Sequence, residues 1–416
     1  MALYYESVDA SDAVQDVTVP CPLTPSGLCS LNGACRKGAC SCFSGFVGES
    51  CSNAVICPKD FTTCTVSTCD PICSQSTSDV IVVSVNGDDT QGTGKLMDAS
   101  GSGTDPKAVQ SLRRALELAK PNQTILLYPG VYRGSGNCSV TVSTSDILIR
   151  GLRGQAVTII DCQSLWRGLM ISGVSVRLAG FTLQNTLAAS NNNGAAISAS
   201  KASIQMENVY IKNGKSLQNG GGIYAYQSDL KFTSSKLSNC SAVAKGGAIF
   251  MDSSNLSLVQ SFVELSSASQ GGGIYAQNSV TVQGDGNSTI SNNTAAQNGG
   301  GICASGSFNG TILSLIQNNA SVGAGIAAIS GSSTLSKVNI TQNRAINDGG
   351  GIALLNTANV AVYYSPIRMN HAERYGGGVY VLSNGTFDNK GASEIFKCTA
   401  GKGIEGDAYT CFRIRD

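Results

Sequence analysis

Short alternating segments recur along the second half of the chain, and each follows a run of glycines. Sequences such as GGIYAY, GAIFMD and GGVYVL place Ile or Val on one face of a strand and Tyr or Phe on the other. The first aliphatic residue recurs at Ile197, Ile223, Ile249, Ile274, Ile302, Ile326, Ile352 and Val379. These seven intervals cover 182 residues, a mean of 26. Such a period predicts stacked repeats.

A unit of this length holds two or three short strands, which predicts coils stacked at about 4.8 Å with the Ile positions as a dry internal ladder. Triple glycines such as 220–222 are expected at a tight corner that needs positive φ or close backbone approach. They are not a phosphate-binding loop, because no helix follows. Turn positions that can form a hydrogen-bonded ladder are predicted for Asn213, Asn239, Asn292, Asn343 and Asn370, with Asn318 displaced.

The repeats are preceded by a strand, an amphipathic segment near 107–119 and another strand, QTILLYPGVYRG. Val109, Leu112, Ala115, Leu116 and Leu118 have helical spacing. This order resembles the entry of pectin-lyase-like proteins, in which a short helix plugs the first coil. The repeat N…A…GGGI resembles the repeats of chlamydial polymorphic outer-membrane proteins. These resemblances imply an all-β, right-handed, single-stranded parallel β-helix over residues 79–416.

Ten of the 16 cysteines lie before the repeats. Residues 21–51 hold six, and the ending CSCFSGFVGESC resembles an EGF-like module. That resemblance implies pairs Cys21–Cys35, Cys29–Cys40 and Cys42–Cys51, whereas spacing alone allows 15 pairings. No calcium site is predicted. Residues 1–20 form an acidic arm that is either frayed or docks on a neighbour.

A second cysteine-rich segment spans residues 52–78. Two more bridges in unknown order are expected there among Cys57, Cys64, Cys69 and Cys73. Zinc is the less favoured alternative, because paired Cys-x-x-Cys spacing is lacking.

The remaining cysteines lie among the repeats. Cys138 and Cys162 are 24 residues apart, about one coil, and are predicted to form a bridge. Cys398 and Cys411 are predicted to close the C-terminal end. Cys240 and Cys303 occupy different points of coils two repeats apart, and Cα atoms more than about 7 Å apart cannot be bridged. They are buried thiols or intermolecular links.

The cysteine content and the sequons together predict a secreted glycoprotein. The opening segment lacks the features of a signal peptide, so we expect that a leader was removed or is missing. No stretch of about 20 apolar residues predicts a membrane span. A net charge of +1 argues against nucleic-acid binding. The ten candidate glycosylation sites are Asn122, Asn137, Asn239, Asn255, Asn287, Asn292, Asn309, Asn319, Asn339 and Asn384.

Catalytic residues are not evident in the repeats. The single histidine, His371, is interpreted as a turn residue, and Asp88–Asp89 as turn chemistry. Asp252, Asp348 and Glu373 fall on separate coils, so no paired-carboxylate site is predicted. The sequence therefore predicts a protein that is not an enzyme and that has no cofactor and no metal.

These features favour a structural subunit of an extracellular filament or surface appendage. The cysteine modules are similar to those of mastigoneme proteins. Expected partners are further copies of the chain, other matrix proteins and glycans. Outward-pointing Tyr224, Phe250, Tyr275 and Tyr380 are predicted as an interface, or else as rungs that stack on one another. The alternatives are a monomeric adhesin that binds glycans or a receptor, and a polysaccharide lyase or hydrolase.

Overall fold

The computed structural model describes residues 79–95, 107–189, 192–382, 384–391, 393–401 and 411, and the strand backbone at 412–414 and within 23–54. The chain divides into two units, Met1–Gln75 and Ser76–Asp416. The predicted arm 1–20 lies outside the described residues. So do the side chains of Cys21, Cys29, Cys35, Cys40, Cys42, Cys51, Cys57, Cys64, Cys69 and Cys73, whose pairing stays a prediction.

The N-terminal unit contains three short antiparallel strand pairs. They are Leu23–Thr24 with Gly27–Leu28, Gly33–Arg36 with Ala39–Cys42, and Phe46–Val47 with Asn53–Ala54.

The second unit is a parallel β-helix, which confirms the predicted fold class. Every coil adds strands to a long sheet, and parallel pairing joins each strand to its equivalent one coil later. The long sheet contains Val80–Val83, Thr124–Leu127, Val140–Val142, Ile147–Gly151, Leu169–Ser172, Ser175–Ala179, Ile197–Ser200, Ser203–Glu207, Ile223–Tyr226, Asp229–Thr233, Ile249–Asp252, Asn255–Val259, Ile274–Gln283, Ile302–Thr311, Ile326–Ser330, Ser332–Ser336, Ile352–Leu354, Asn359–Tyr363, Val379–Val381, Thr386–Lys390 and Phe412–Ile414.

Two narrower sheets complete the coils. The second sheet contains Gly130–Tyr132, Thr158–Asp161, Thr182–Gln184, Tyr210–Lys212, Lys236–Ser238, Phe262–Glu264, Thr289–Ser291, Ser314–Ile316, Asn339–Thr341, Ile367–Arg368 and Ile395–Phe396. The third contains Leu187–Ala188, Lys215–Ser216, Ser241–Ala242, Ser267–Gln270, Thr294–Asn298, Asn319–Val322, Arg344–Ala345, His371–Ala372 and Thr399–Ala400.

The helix, Leu112–Leu118, is shorter than the predicted segment 107–119. It begins at Ser111, whose side chain accepts a hydrogen bond from the Arg114 backbone N, as an N-cap does. Leu112 and Ala115 are fully buried against the first strands of the β-helix. The helix therefore covers apolar surface at the start of the core.

Each coil turns at residues in the left-handed conformation. In the coil that begins at Ile223, the corners are Gln227, Ser234 and Asn239, with φ of 47°, 48° and 53°, and Gly246 closes the coil with φ of 68°. The first three corners tolerate side chains that point to solvent. Only the last corner uses glycine in every repeat from Gly194 to Gly376.

The glycine at the last corner has two causes. A Cβ on Gly246 would lie 2.4 Å from the Ile249 carbonyl oxygen, in addition to the cost of positive φ. A Cβ on the next residue, Gly247, would lie 2.2 Å from the Gly272 oxygen of the following coil. The third position is less restricted, since Ala248 occupies it. Positive φ and close backbone approach thus act at different glycines of the same triplet.

Behind three of the four corners, a side chain from the next coil satisfies a backbone N–H. In the coil that begins at Ile223, the residue after each non-glycine corner donates its N–H to a side-chain oxygen one coil later, whereas the Gly247 N–H donates to the Gly271 backbone oxygen. The pairs are Ser228 to Ser254 Oγ (3.0 Å), Ser235 to Ser261 Oγ (3.1 Å) and Cys240 to Ser266 Oγ (3.2 Å). Corner amides that would otherwise be buried without partners form three internal polar ladders.

The asparagines that the sequence grouped together form two adjacent columns. Asn213, Asn239 and Asn292 occupy the exposed left-handed corner. Asn318, Asn343 and Asn370 lie one position further inward, are at most 1% exposed and continue, through Asn293, the ladder that contains Ser266. Asn318 is therefore not displaced, and Asn343 and Asn370 share its column.

Candidate functional site

Cysteines of the β-helix occupy three environments. Cys138 and Cys162 form a disulfide with Cα atoms 5.7 Å apart. Cys240 and Cys303 are buried free thiols, and burial raises the pKa of each to about 12. Cys398 and Cys411 are separate thiols, although the Cys398 N–H donates to Cys411 Sγ at 3.2 Å. Closure of the C-terminal end by a bridge between Cys398 and Cys411 stays a prediction.

Nine of the ten predicted glycosylation positions are half-buried or exposed in the structure. The tenth, Asn137, is 7% exposed; it donates from Nδ2 to the Arg133 oxygen and accepts the Leu112 N–H at Oδ1. A glycan bonds to this same Nδ2 atom. In the folded protein the Asn137 side chain is therefore used in hydrogen bonds at the start of the helix.

The predicted aromatic interface is mostly buried. Tyr224, Phe250 and Tyr275 stack on consecutive coils, with centroids 5.1 and 5.5 Å apart and interplanar angles of 6° and 4°. Phe250, Tyr275 and Tyr380 are 2–4% exposed, so their ring faces are not available to a partner. Tyr224 alone of the four is half-buried, and burial, with smaller contributions from Asp252 and Tyr226, raises its pKa. This geometry corresponds to the stacking alternative.

A polar cluster borders the aromatic stack. Asp252 is 9% exposed and accepts hydrogen bonds from Asn278 Nδ2 at 2.6 Å, Ser253 Oγ at 2.9 Å and Gln277 Nε2 at 3.3 Å. On the other side of the stack, Lys245 Nζ lies 4.5 Å from the centroid of Tyr275. The carboxylate is thus fixed by neutral donors, which is typical of a structural acid at a corner.

A shallow depression of about 410 Å³ lies on the outer face of the long sheet. Gln205, Asp229, Lys231 and Asn255 border it. Asn255 donates from Nδ2 to Asp229 Oδ1 at 2.7 Å and is itself a predicted glycosylation site. A glycan attached there would lie in the depression, which makes it a poor site for an external ligand.

The densest charged cluster lies at the third sheet, on adjacent coils near the C-terminal end. Arg344 Nη2 is 2.9 Å from Glu373 Oε1, and Arg374 Nε is 3.6 Å from Asp348 Oδ1. His371 Nδ1 lies 2.7 Å from Thr399 Oγ1. Asp252, Asp348 and Glu373 were predicted to be scattered over separate coils, and His371 was interpreted as a turn residue. Parallel stacking with an offset of 27 residues instead brings Asp348, His371 and Glu373 to the same edge on adjacent coils.

This charged cluster contains two guanidinium groups and two carboxylates, which form two ion pairs between adjacent coils. Asp88 and Asp252 are far from it in the coil register, and Asp88 accepts hydrogen bonds from Thr90 as expected of turn chemistry. Among the described residues, no group of three or more His, Cys, Asp or Glu side chains could hold a metal ion. No helix in the same part of the chain is long and apolar enough to cross a membrane.

The chain matches two families. Residues 26–54 match the Teneurin-like EGF domain, and residues 221–394 match the right-handed beta helix region. These matches confirm the predicted EGF-like module and the predicted right-handed β-helix. An EGF domain together with a right-handed β-helix indicates an extracellular protein. No curated protein matches the chain.

Three solved chains are similar, all catalytic domains of GH87 alpha-1,3-glucanase in complex with nigerose, two of them with a single Asp-to-Ala substitution. Identity is 12–13% and the TM-score 0.34–0.37; the alignment covers 74% of this chain and 66%, just under two thirds, of those domains. This finding overturns the prediction that the chain is not an enzyme, because the matched chains are catalytic domains. At these scores the likeness assigns no reaction to the chain.

Proposed function

We propose that the protein is a structural subunit of an extracellular filament or surface coat, with its β-helix as a stiff shaft. The observation that supports this role is the set of internal polar ladders. These ladders join successive coils at the corners, and a continuous column of Ile side chains is buried in the core. Every coil is thus bonded to the next at its strands and at its corners, which resists bending.

Further support comes from the surface. Most candidate glycosylation sites are accessible, and glycans on them would keep an extended rod soluble. Among the described residues, the strand Ile395–Phe396 is at the edge of the second sheet, and Ile395 is only partly buried against the core, so this strand offers an edge for a contact with another chain. The mastigoneme-like role remains one form of this proposal.

Electron microscopy of the native, unreduced material tests the structural role. We expect regular filaments in which each repeating unit contains one β-helix per chain. Isolated short rods at every concentration would overturn the proposal. A parallel sample treated with reductant separates the contribution of disulfides from that of the β-helix.

A second candidate function is recognition or hydrolysis of a polysaccharide at the charged cluster. The observation that favours it is that Asp348 and Glu373 lie on adjacent coils, each beside an arginine. Glycosidic bond hydrolysis uses two carboxyl groups, one as general acid and one as base or nucleophile. The Arg374 guanidinium lies 5.7 Å from the centroid of the Tyr375 ring. Together these two side chains add a face on which a sugar could stack.

Oligosaccharide release from a panel of neutral glucans, including α-1,3-glucan, tests the second candidate. Asp348→Asn and Glu373→Gln should each reduce release at least a hundredfold if the two carboxylates act in turn. Asp229→Asn, which changes an exposed acid on the long sheet several coils away from the charged cluster, is the matched control. Release that is absent, or equal in all variants, would exclude hydrolysis at this cluster.

A further inference from the structure

One candidate glycosylation site differs from the other nine in its environment. Asn339, on the outer face of the second sheet, is half-buried, whereas Asn137 is buried and the remaining eight sequon asparagines are exposed. The Nδ2 atoms of Asn239 and Asn255 donate hydrogen bonds within the chain. The Nδ2 atom of Asn339 makes none within the part of the chain that the structure describes, and its Oδ1 is buried without a partner. A sugar attached to this Nδ2 atom would therefore lie close to the protein surface.

The neighbours of Asn339 on this face carry polar atoms that the chain leaves unused. Thr341, two residues along the same strand, is 7% exposed, and its Oγ1 is buried without a hydrogen-bond partner. Arg368 pairs with Thr341 on the following coil, and its Nε is also buried without a partner. Buried polar groups are normally hydrogen-bonded. Three unpartnered atoms on two adjacent coils therefore favour a surface that a polar group covers.

The corner beside Asn339 has an unusual composition. In earlier coils this left-handed corner holds polar side chains, such as Ser234 and Gln260. On the coils before and after the one that contains Asn339, the corner residues are Ile312 and Tyr364, with φ of 51° and 49°. They are 36% and 62% exposed. Positive φ is unfavourable for bulky or β-branched residues, and burial does not compensate for it at these exposures. These two side chains thus contribute little to the stability of the coils that carry them.

Ile312 and Tyr364 border the surface beside Asn339. A Cβ on Gly286 would lie 3.7 Å from Ile312 Cγ2, so the isoleucine leans toward the preceding coil. A Cβ on Gly391 would lie 3.1 Å from Tyr364 Cζ, so the tyrosine leans toward the following coil. The two apolar side chains lean apart along the axis, and two coil spacings, about 9.6 Å, separate their backbones. The space between them is open at the coil that contains Asn339.

A glycan has the chemistry that fits this surface. The C–H faces of sugar rings pack against apolar side chains such as Tyr364, and sugar hydroxyl and acetamide oxygens accept hydrogen bonds. The hydroxyl of Thr341 and the guanidinium of Arg368 are donors for such acceptors. The sequon that starts at Asn339 places the attachment atom in the middle of the same surface.

We infer that Asn339 carries an N-linked glycan whose first sugars pack against this face of the second sheet and stabilise the coils around it. The attachment joins Nδ2 to the anomeric carbon of an oligosaccharide that a lipid-linked diphosphate donates. The bond from that carbon to the diphosphate oxygen breaks, and Nδ2 loses one proton. The contact lies within one chain, so it goes beyond the proposed structural role and does not require assembly.

Glycopeptide mass spectrometry of the full chain, secreted by a eukaryotic host, tests the attachment. We expect Asn339 to be occupied. Digestion of the native chain with peptide N-glycosidase, which cleaves at Nδ2, then tests the packing. Release from Asn339 should be at least about tenfold slower than from exposed sites such as Asn309, which corresponds to about 1.4 kcal/mol. Asn309 is the matched comparison because it lies on a strand between Thr281 and Thr334 of the adjacent coils. In the denatured chain the rates should be equal.

Substitutions separate the glycan from the side chains. Thr341→Val removes the sequon together with an unpartnered hydroxyl, so without a glycan contact the urea midpoint should stay the same or rise. With the contact, Thr341→Val and Asn339→Gln should lower the midpoint equally, and Thr341→Ser, which keeps the sequon, should lower it less. Asn309→Gln should leave it unchanged. Tyr364→Ser should keep Asn339 occupied and speed the release of its glycan. An unoccupied Asn339, equal release rates in the native chain, or an unchanged midpoint in Thr341→Val would overturn the inference.

Discussion

The buried asparagine ladder allows a quantitative test of what holds the coils together. Asn343 is 1% exposed and forms four side-chain hydrogen bonds. Its Nδ2 donates to the Leu315 oxygen and to Asn370 Oδ1, both at 3.0 Å. Its Oδ1 accepts the Asn318 backbone N–H at 2.9 Å and Asn318 Nδ2 at 3.0 Å. The substitution Asn343→Ala removes all four.

The expected cost follows from which groups lose their partner. The Asn318 N–H becomes a buried donor without an acceptor, which costs about 1–3 kcal/mol. Asn318 Nδ2 keeps its hydrogen bond to the Ile290 oxygen, and Asn370 Oδ1 still accepts the backbone N–H of residue 343. Each of these two groups therefore loses one hydrogen bond and keeps another. With about 1 kcal/mol for each of the three further lost bonds, including the one to the Leu315 oxygen, the free energy of unfolding should fall by about 4–6 kcal/mol.

Urea denaturation followed by far-UV circular dichroism measures this change, provided that the slope of the transition is the same in all variants. Asn359→Ala is the matched control, because Asn359 is an exposed asparagine at the start of a strand. Its substitution should change the free energy of unfolding by less than about 0.5 kcal/mol.

Asn343→Ser supplies the decisive comparison. Ser266 occupies the same column, and its Oγ accepts the Cys240 N–H at 3.2 Å. A serine at 343 should therefore provide the acceptor for the Asn318 N–H and recover about half of the loss. The reasoning is refuted if Ser and Ala are equally destabilising, or if Asn343→Ala costs no more than Asn359→Ala.

Three further predictions follow from the corners and the buried thiols. Gly299→Ala should lower the free energy of unfolding by about 2 kcal/mol or more, since φ is 68° and the new Cβ would meet a carbonyl oxygen at 2.3 Å; Gly222→Ala, at the more permissive third position, should cost less in the same urea assay. Met369→Asn should raise the free energy of unfolding by a few tenths to about 1 kcal/mol, because Met369 is exposed with φ of 53°, a left-handed conformation that asparagine tolerates. An unchanged midpoint of urea denaturation would contradict this. Cys240 and Cys303 should resist iodoacetamide at pH 8 in the folded chain and react in urea, as burial raises the pKa of both thiols, and mass spectrometry of labelled peptides would detect any early reaction.

The repeat and its glycines could be predicted from the sequence because they depend on local constraints. Alternating segments that follow Gly-Gly and recur about every 26 residues are compatible with few structures other than stacked strands. The serines at the corners gave no such signal. Serine is common in this chain, and only the register reveals that Ser254 and Ser261 receive N–H groups of the preceding coil.

The functional surfaces were harder to predict for a related reason. Exposure on a β-helix depends on what covers a residue from the coils above and below. The alternation placed Tyr224, Phe250 and Tyr275 outside correctly, but stacking then buries two of the three rings. Conversely, Asp348 and Glu373 looked unrelated along the chain, and a single coil step brings both to one edge.

The coil register links the interior of the β-helix to its surface. A coil must keep glycine at its last corner, so a strip of buried backbone without side chains runs along this corner of the β-helix. Bulky side chains beside that strip are not needed to cover the core, which the Ala column 295, 320, 345 and 372 already fills. Exposed Val243 and Ile346 therefore contribute little to the stability of one chain.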